Sequence, residues 1–195
     1  MQNAFTTTLN LPLVVVITNQ IWLQRGIIMK NFSKTSGISI QDIVSTAVVA
    51  ALYVAMTVVF TPLSFGVVQI RFSEMFNYLV LYNKRYIWGV TLGVFLSNFM
   101  SPTWTLDVPV GTIATLLVLF FVLWLTKMTK DMRLKFVITG VIFALSMFTV
   151  AGQLHFVFKA PFLITWFTVG IGELLSMAIG GLIIYALGKR FDLTR

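Results

Sequence analysis

Apolar residues occur in long blocks along this chain, separated by short polar breaks. Five blocks are conspicuous: residues 43–60, 86–100, 108–126, 136–154 and 162–187. Each is close to the length of about 20 residues that a helix needs to cross a bilayer. A sixth block, 72–82, is short, but the charges around it require it. Without a crossing there, Lys84 and Arg85 would leave the side on which the other basic residues collect. The pattern therefore predicts an all-α integral membrane protein, a bundle of six transmembrane helices joined by short loops.

The basic residues orient the bundle. Lys30, Lys34, Lys84, Arg85, Lys127, Lys130, Arg133, Lys135, Lys189, Arg190 and Arg195 fall on one side of a six-span chain, and Arg71 and Lys159 on the other. The crowded side is cytoplasmic by the positive-inside rule, which puts both ends of the core domain in the cytoplasm. Residues 1–35 read as an N-terminal extension and 36–195 as the membrane domain. Within the extension the apolar stretch 11–23 is short and is interrupted by Asn19 and Gln20. It lacks the basic residues that precede a signal peptide's apolar core. A signal-like segment, an interfacial helix and sequence upstream of a start at Met29 all remain open, and a dispensable extension is the preferred reading.

Composition strengthens the membrane reading. The 195 residues are 58% hydrophobic and only 10% charged, with a mean hydropathy of +0.93. A soluble domain carries about a quarter charged residues, and a chain this short has too little interior to hide so much apolar surface. The net charge of +8 does not indicate nucleic acid, because the basic residues sit in clusters between apolar blocks and not on a water-facing surface beside stacking aromatics. Lipid is the surrounding partner. The absence of cysteine excludes a disulfide framework, a thiolate metal site and a cysteine nucleophile. With one histidine as well, no metal site or cofactor is expected.

Ionisable groups in lipid are costly and read as functional, facing the bundle interior. Glu173 lies about 11 residues into the last block, roughly 16 Å deep at 1.5 Å per residue. Arg71 and Glu74 begin the second block, Asn98 ends the third, Asp107 begins the fourth, and Gln153 and His155 end the fifth. All lie toward the outer face, which predicts a buried polar pocket open to the outside. The first block carries Ala47, Ala51 and Ala55 at intervals of four, a smooth stripe that lets another helix approach closely, whether inside the bundle or from a partner. There is no Walker A loop: Gly188-Lys189 is followed by Arg190 and has no glycine five positions earlier. The chain is not expected to be an enzyme.

The stretch Ser64-Phe65-Gly66-Val67-Val68-Gln69-Ile70-Arg71-Phe72-Ser73-Glu74 resembles the QueT family, substrate-binding (S) components of energy-coupling factor (ECF) transporters. Three later stretches extend the resemblance: 92–102 with Ser97-Asn98, 106–117 with Leu106-Asp107-Val108-Pro109-Val110-Gly111, and Gly170-Ile171-Gly172-Glu173. It covers about residues 40 to 190. The resemblance implies the S-component fold in the bacterial cell membrane and a queuosine precursor, a 7-deazaguanine, as the small molecule captured outside. It also implies an ECF transmembrane coupling subunit with two cytoplasmic ATPases as partners, and a docking role for Ala47, Ala51 and Ala55.

A 7-deazaguanine keeps guanine's donor-rich edge, and a carboxylate can accept from its ring N–H and exocyclic amine together. Glu173 is the first candidate for that role, with Asp107 or Glu74 second. Asn98 and Gln69 can donate to the ring carbonyl, and Arg71 can do the same or pair with Glu74. Phe65, Phe72 and Trp104 are candidates to cover the flat ring, since stacking on aromatics is worth about 1–3 kcal/mol. Three other readings stay open: an S component for another vitamin or nucleobase, a small intramembrane enzyme, and an autonomous carrier.

Overall fold

A computed structural model of the chain describes residues Gln20, Gln24, 39–66 and 68–194. The expectation for the N-terminal extension therefore lies outside the described residues, apart from Gln20 and Gln24, which are helical and exposed. Lys30, Lys34 and Arg195 lie outside them too. Among the described residues every regular element is helical, as the block pattern predicts.

The chain divides into two units, Met1–Ile43 and Val44–Arg195. At the end of the first, Ser39 and Asp42 cap each other. The Ser39 backbone N–H and hydroxyl donate to Asp42 Oδ2 at 3.0 and 2.8 Å, and the Asp42 N–H donates to Ser39 Oγ at 3.1 Å. This reciprocal cap satisfies orphan donors and starts the first long helix, α1 (Ile40–Val59).

In the second unit α1 buries Val49, Ala50, Tyr53 and Thr57, a stripe at helical spacing. Ala47, Ala51 and Ala55 face the other way and are exposed, so they form no seam with the described residues. The inward face packs on α2 (Tyr86–Ser97), whose Gly89 and Gly93 leave room for it. A Cβ at Gly93 would stand 2.6 Å from Tyr53 Cβ. After α2 the chain passes through a 3₁₀ turn (Asn98–Met100), a short turn (Trp104–Leu106) and a π-helical turn (Asp107–Gly111) into α3 (Thr112–Thr126). Pro109 sits in the π turn and has no N–H to donate, which opens the regular ladder there. Then follow α4 (Met132–Ser146), α5 (Phe148–Phe158) and α6 (Phe162–Arg190).

Among the described residues four stretches are long and apolar enough to cross a membrane: Ile40–Val59, Trp104–Thr126, Met132–Phe158 and Phe162–Arg190. Tyr86–Met100 is a shorter apolar helix. The block predicted at 136–154 begins earlier and is broken. Asp131 accepts the Arg133 N–H at 2.9 Å and so starts α4 ahead of the apolar run. Around Met147 the Ser146 and Thr149 hydroxyls donate to the carbonyls of Phe143 and Ser146 at 2.7 and 2.9 Å, back-bonding that bends helices.

The short block 72–82 is a 3₁₀ helix (Phe72–Leu81). At about 2.0 Å per residue its ten residues reach roughly 20 Å, where an α-helix would reach 15 Å. Long 3₁₀ runs are uncommon because their hydrogen bonds are poorer, so packing has to hold this one. Seven of its residues are buried, which removes any apolar periodicity from its sequence. Tyr78 stacks on Phe136 with centroids 4.3 Å apart, and Gly180 and Gly181 of α6 make way for Met75 and the Tyr78 ring. The basic residues that follow this helix gather beyond its C-terminal end. Lys84, Arg85 and Lys127 line one cavity, Asn83 Nδ2 donates to the Thr194 carbonyl at 2.8 Å, and Arg133 Nε donates to the Tyr185 hydroxyl at 3.3 Å.

Candidate functional site

The opposite end of the 3₁₀ helix carries a buried polar cluster. Glu74, 4% exposed, is held through both oxygens. Tyr53 donates its hydroxyl to Oε1 at 2.7 Å and Asn77 Nδ2 donates to Oε2 at 2.5 Å. One turn further along α1, the Thr57 hydroxyl donates to Ser73 Oγ at 2.8 Å. These bonds fix the start of the 3₁₀ helix against α1 through side chains alone.

Arg71 precedes that helix and ties three segments together. Its Nε donates to the Ser64 carbonyl at 3.1 Å, and its backbone N–H donates to Ser176 Oγ of α6 at 2.9 Å. Its Nη2 reaches Gln69 Oε1 at 3.4 Å, and the guanidinium lies 5.0 Å from the centre of the Phe65 ring. Gln69 itself has φ 52°, a left-handed backbone uncommon outside glycine. The loop thus turns sharply at Gln69 and is clamped by Arg71.

Glu173 of α6 is 1% exposed and lies within electrostatic reach of Glu74 and Arg71. Its Oε1 is buried and has no hydrogen-bond partner. A buried acceptor left in this state costs roughly 1–3 kcal/mol, and each such atom in a native fold calls for an explanation. The Asp107 carboxylate is differently placed. Its Oδ2 accepts from the Ser101 hydroxyl and from the Thr103 hydroxyl, the latter at 2.6 Å. Asn98 Nδ2 donates to the Asp107 carbonyl at 2.8 Å and leaves no room for a Cβ at Gly111.

Arg71, Glu74 and Asn98 line one enclosed cavity with Gly111, Thr115 and Ser146 among others. Its volume, about 30 Å³, suits water and not a bicyclic ring. Phe65 and Gln69 join this group through Arg71. Phe72 instead packs edge-on against Phe60 at 4.9 Å. Trp104 stacks with Phe99 at 6.0 Å and is 49% exposed. Among the described residues no group of three His, Cys, Asp or Glu side chains is positioned to hold a metal ion.

The sequence reading missed Tyr53, Thr57, Ser73, Asn77 and Ser176, which hold the charged residues in place. A signal existed for some: Tyr53 and Thr57 are spaced i, i+4 on α1, and Ser73, Glu74 and Asn77 recur at helical spacing within an apolar run.

With every regular element helical and four membrane-length apolar stretches among the described residues, and a polar cluster buried inside, this is a multi-pass membrane protein. Residues 43–189 match the QueT transporter family. The chain is also 44% identical over 163 residues to the queuosine precursor transporter QueT of Lactococcus lactis subsp. cremoris (strain MG1363), across 79% of this chain and 96% of that relative. The chain belongs to the QueT transporter family. No solved structure matches it.

Proposed function

We propose that the chain is the membrane-embedded substrate-binding subunit of an ECF importer and captures a queuosine precursor. The observation that carries this reading is the unpartnered, buried Oε1 of Glu173. Of the three candidate carboxylates, Glu74 has both oxygens engaged and Asp107 has Oδ2 engaged by two hydroxyls. Glu173 keeps an acceptor for the N–H donors on a guanine-like edge, with Arg71, Asn98 and Gln69 at hand for the ring carbonyl and Phe65 beside them. Asp107 and Glu74 shape the site around the ligand, and Phe72 and Trp104 contribute at its margin. The 44% identity to a relative named for queuosine precursors supports the substrate class.

The chain crosses the membrane six times, with residues 36–195 as the binding domain and both of that domain's ends in the cytoplasm. The 3₁₀ helix, about 20 Å long, and Tyr86–Met100 are the two crossings beyond the four long ones. The gathering of Lys84, Arg85 and Lys127 at one cavity supports this path. Ala47, Ala51 and Ala55, exposed on α1, form the face on which the coupling subunit docks, and energy comes from two partner ATPases. Binding to the purified, detergent-solubilised chain tests the substrate. At least one of 7-cyano-7-deazaguanine, 7-aminomethyl-7-deazaguanine and queuine should bind, and adenine, whose edge presents a different donor pattern, should not compete. Failure of all three to bind would sink the substrate class.

A further inference from the structure

A long apolar groove runs between α4 and α6 and shares no lining residue with the polar cavity. Two cavities of about 390 and 530 Å³ meet in it at Val141 and Leu174. Small residues make the space: Gly140 and Ala144 on α4, Gly170, Ala178 and Gly181 on α6. On α4 the groove runs from Arg133 to Leu145, about 18 Å at 1.5 Å per residue. That is close to half of the roughly 30 Å hydrocarbon core, the depth of one leaflet.

One end of the groove is cationic. Arg133 Nε donates to the Tyr185 hydroxyl oxygen at 3.3 Å, and Lys189 Nζ lies 4.7 Å from the centre of the same ring. Both cations are exposed. Asp131, the acid beside them in the chain, has Oδ1 engaged by the Arg133 backbone N–H. Because Tyr185 accepts from Arg133, its own O–H remains to donate. Two cations and a hydroxyl donor therefore gather around Tyr185 at one end of an acyl-length groove.

We propose that this groove is a site for an anionic phospholipid, with an acyl chain along Val137, Val141 and Leu174 and its phosphate between Arg133, Lys189 and Tyr185. Guanidinium matches phosphate through paired N–H donors, and basic pockets between membrane helices select anionic headgroups. A choline headgroup brings its own cation against Lys189, whereas a glycerol headgroup does not. Placement in the inner leaflet rests on the six-span topology proposed above; the groove and its charge do not.

Native mass spectrometry of the purified full chain, titrated with dioleoyl phosphatidylglycerol and dioleoyl phosphatidylcholine, tests the site. Each cation is worth about fivefold, so phosphatidylglycerol should be retained about twenty-five-fold over phosphatidylcholine. The pair R133Q and K189Q should abolish that preference while acyl-chain binding persists, and Ala178→Phe, an exposed position in the groove, should weaken both lipids. Binding of the 7-deazaguanines to the same preparations reports on folding, and its failure in wild type counts against the substrate and not the lipid. Equal retention of the two lipids by wild type, or a preference surviving the double substitution, would overturn the proposal. So would a photo-crosslinker at position 137 that captures a second copy or a coupling subunit in place of lipid.

Discussion

Tyr53 of α1 donates its hydroxyl to Glu74 Oε1 across 2.7 Å, and both side chains are almost completely buried. The bond fastens the first long helix to the start of the 3₁₀ helix and takes up one of the two oxygens of Glu74. Asn77 takes up the other. Glu74 therefore acts as a structural anchor inside the polar cluster, whereas Glu173 keeps a fully buried oxygen without a partner.

Removing the Tyr53 donor should expose that dependence. Tyr53→Phe leaves Oε1 buried without a partner, and bonds to charged groups are worth roughly 1.5–3 kcal/mol. Thermal unfolding in detergent should shift downward by a matching amount. An unshifted transition would mean that the Tyr53–Glu74 bond does not hold α1 in place.

Gly93 guards the same relationship from the α2 side. A methyl group there would press on Tyr53 Cβ and Cγ, 2.6 and 2.8 Å away, and overpacking of this kind costs typically 1–3 kcal/mol. Gly93→Ala should destabilise the chain, and adding it to Tyr53→Phe should cost less than the sum, since displacing the Tyr53 ring already disturbs the hydroxyl bond that Tyr53→Phe removes. Full additivity in the double variant would separate the two effects.

Much of this was legible before any coordinates. Glu173, Arg71, Glu74, Asn98 and Asp107 stand out because charge and amide are expensive in apolar blocks. What the sequence could not convey was which of their atoms are already engaged. That depends on the short turn Trp104–Leu106, which sets Asp107 against Ser101 and Thr103, and on Tyr53, which reads as one more aromatic in an apolar helix. The 3₁₀ form of 72–81 was hidden for a related reason. A helix buried on every side has no exposed polar face, and the spacing of Ser73, Glu74 and Asn77 does not separate a 3₁₀ from an α-helix. The alanine stripe was visible, but whether it faced inward depended on Gly89 and Gly93 drawing the opposite face of α1 onto α2.

Topology has a direct check, because the chain has no native cysteine. Single cysteines at positions 104 and 158 should react with an impermeant maleimide on intact cells. Those at 84 and 131 should react only after lysis. All four native residues are exposed, so access is decided by the membrane. Labelling of position 84 from outside would remove the crossing at the 3₁₀ helix.

Docking through the alanine face predicts a separation of functions. Ala51→Trp places a large ring on an exposed position away from the polar cluster. Substrate binding by the isolated chain should be unchanged, while capture by the coupling subunit and uptake into cells should be lost. Normal uptake by this variant would move the docking face elsewhere.

The most direct test of the account is the affinity of Glu173→Gln. The substitution nearly preserves volume and exchanges one acceptor oxygen for an amide that can only donate, so an N–H is set against the N–H donors of a guanine-like edge. Loss of one charge-assisted bond, roughly 1.5–3 kcal/mol, corresponds to a fall in affinity of about ten- to a hundredfold. Calorimetric titration of wild type and Glu173→Gln with the 7-deazaguanine that binds wild type best should show that fall in a variant that melts normally. An unchanged dissociation constant in a stably folded Glu173→Gln would contradict the central claim that Glu173 receives the substrate.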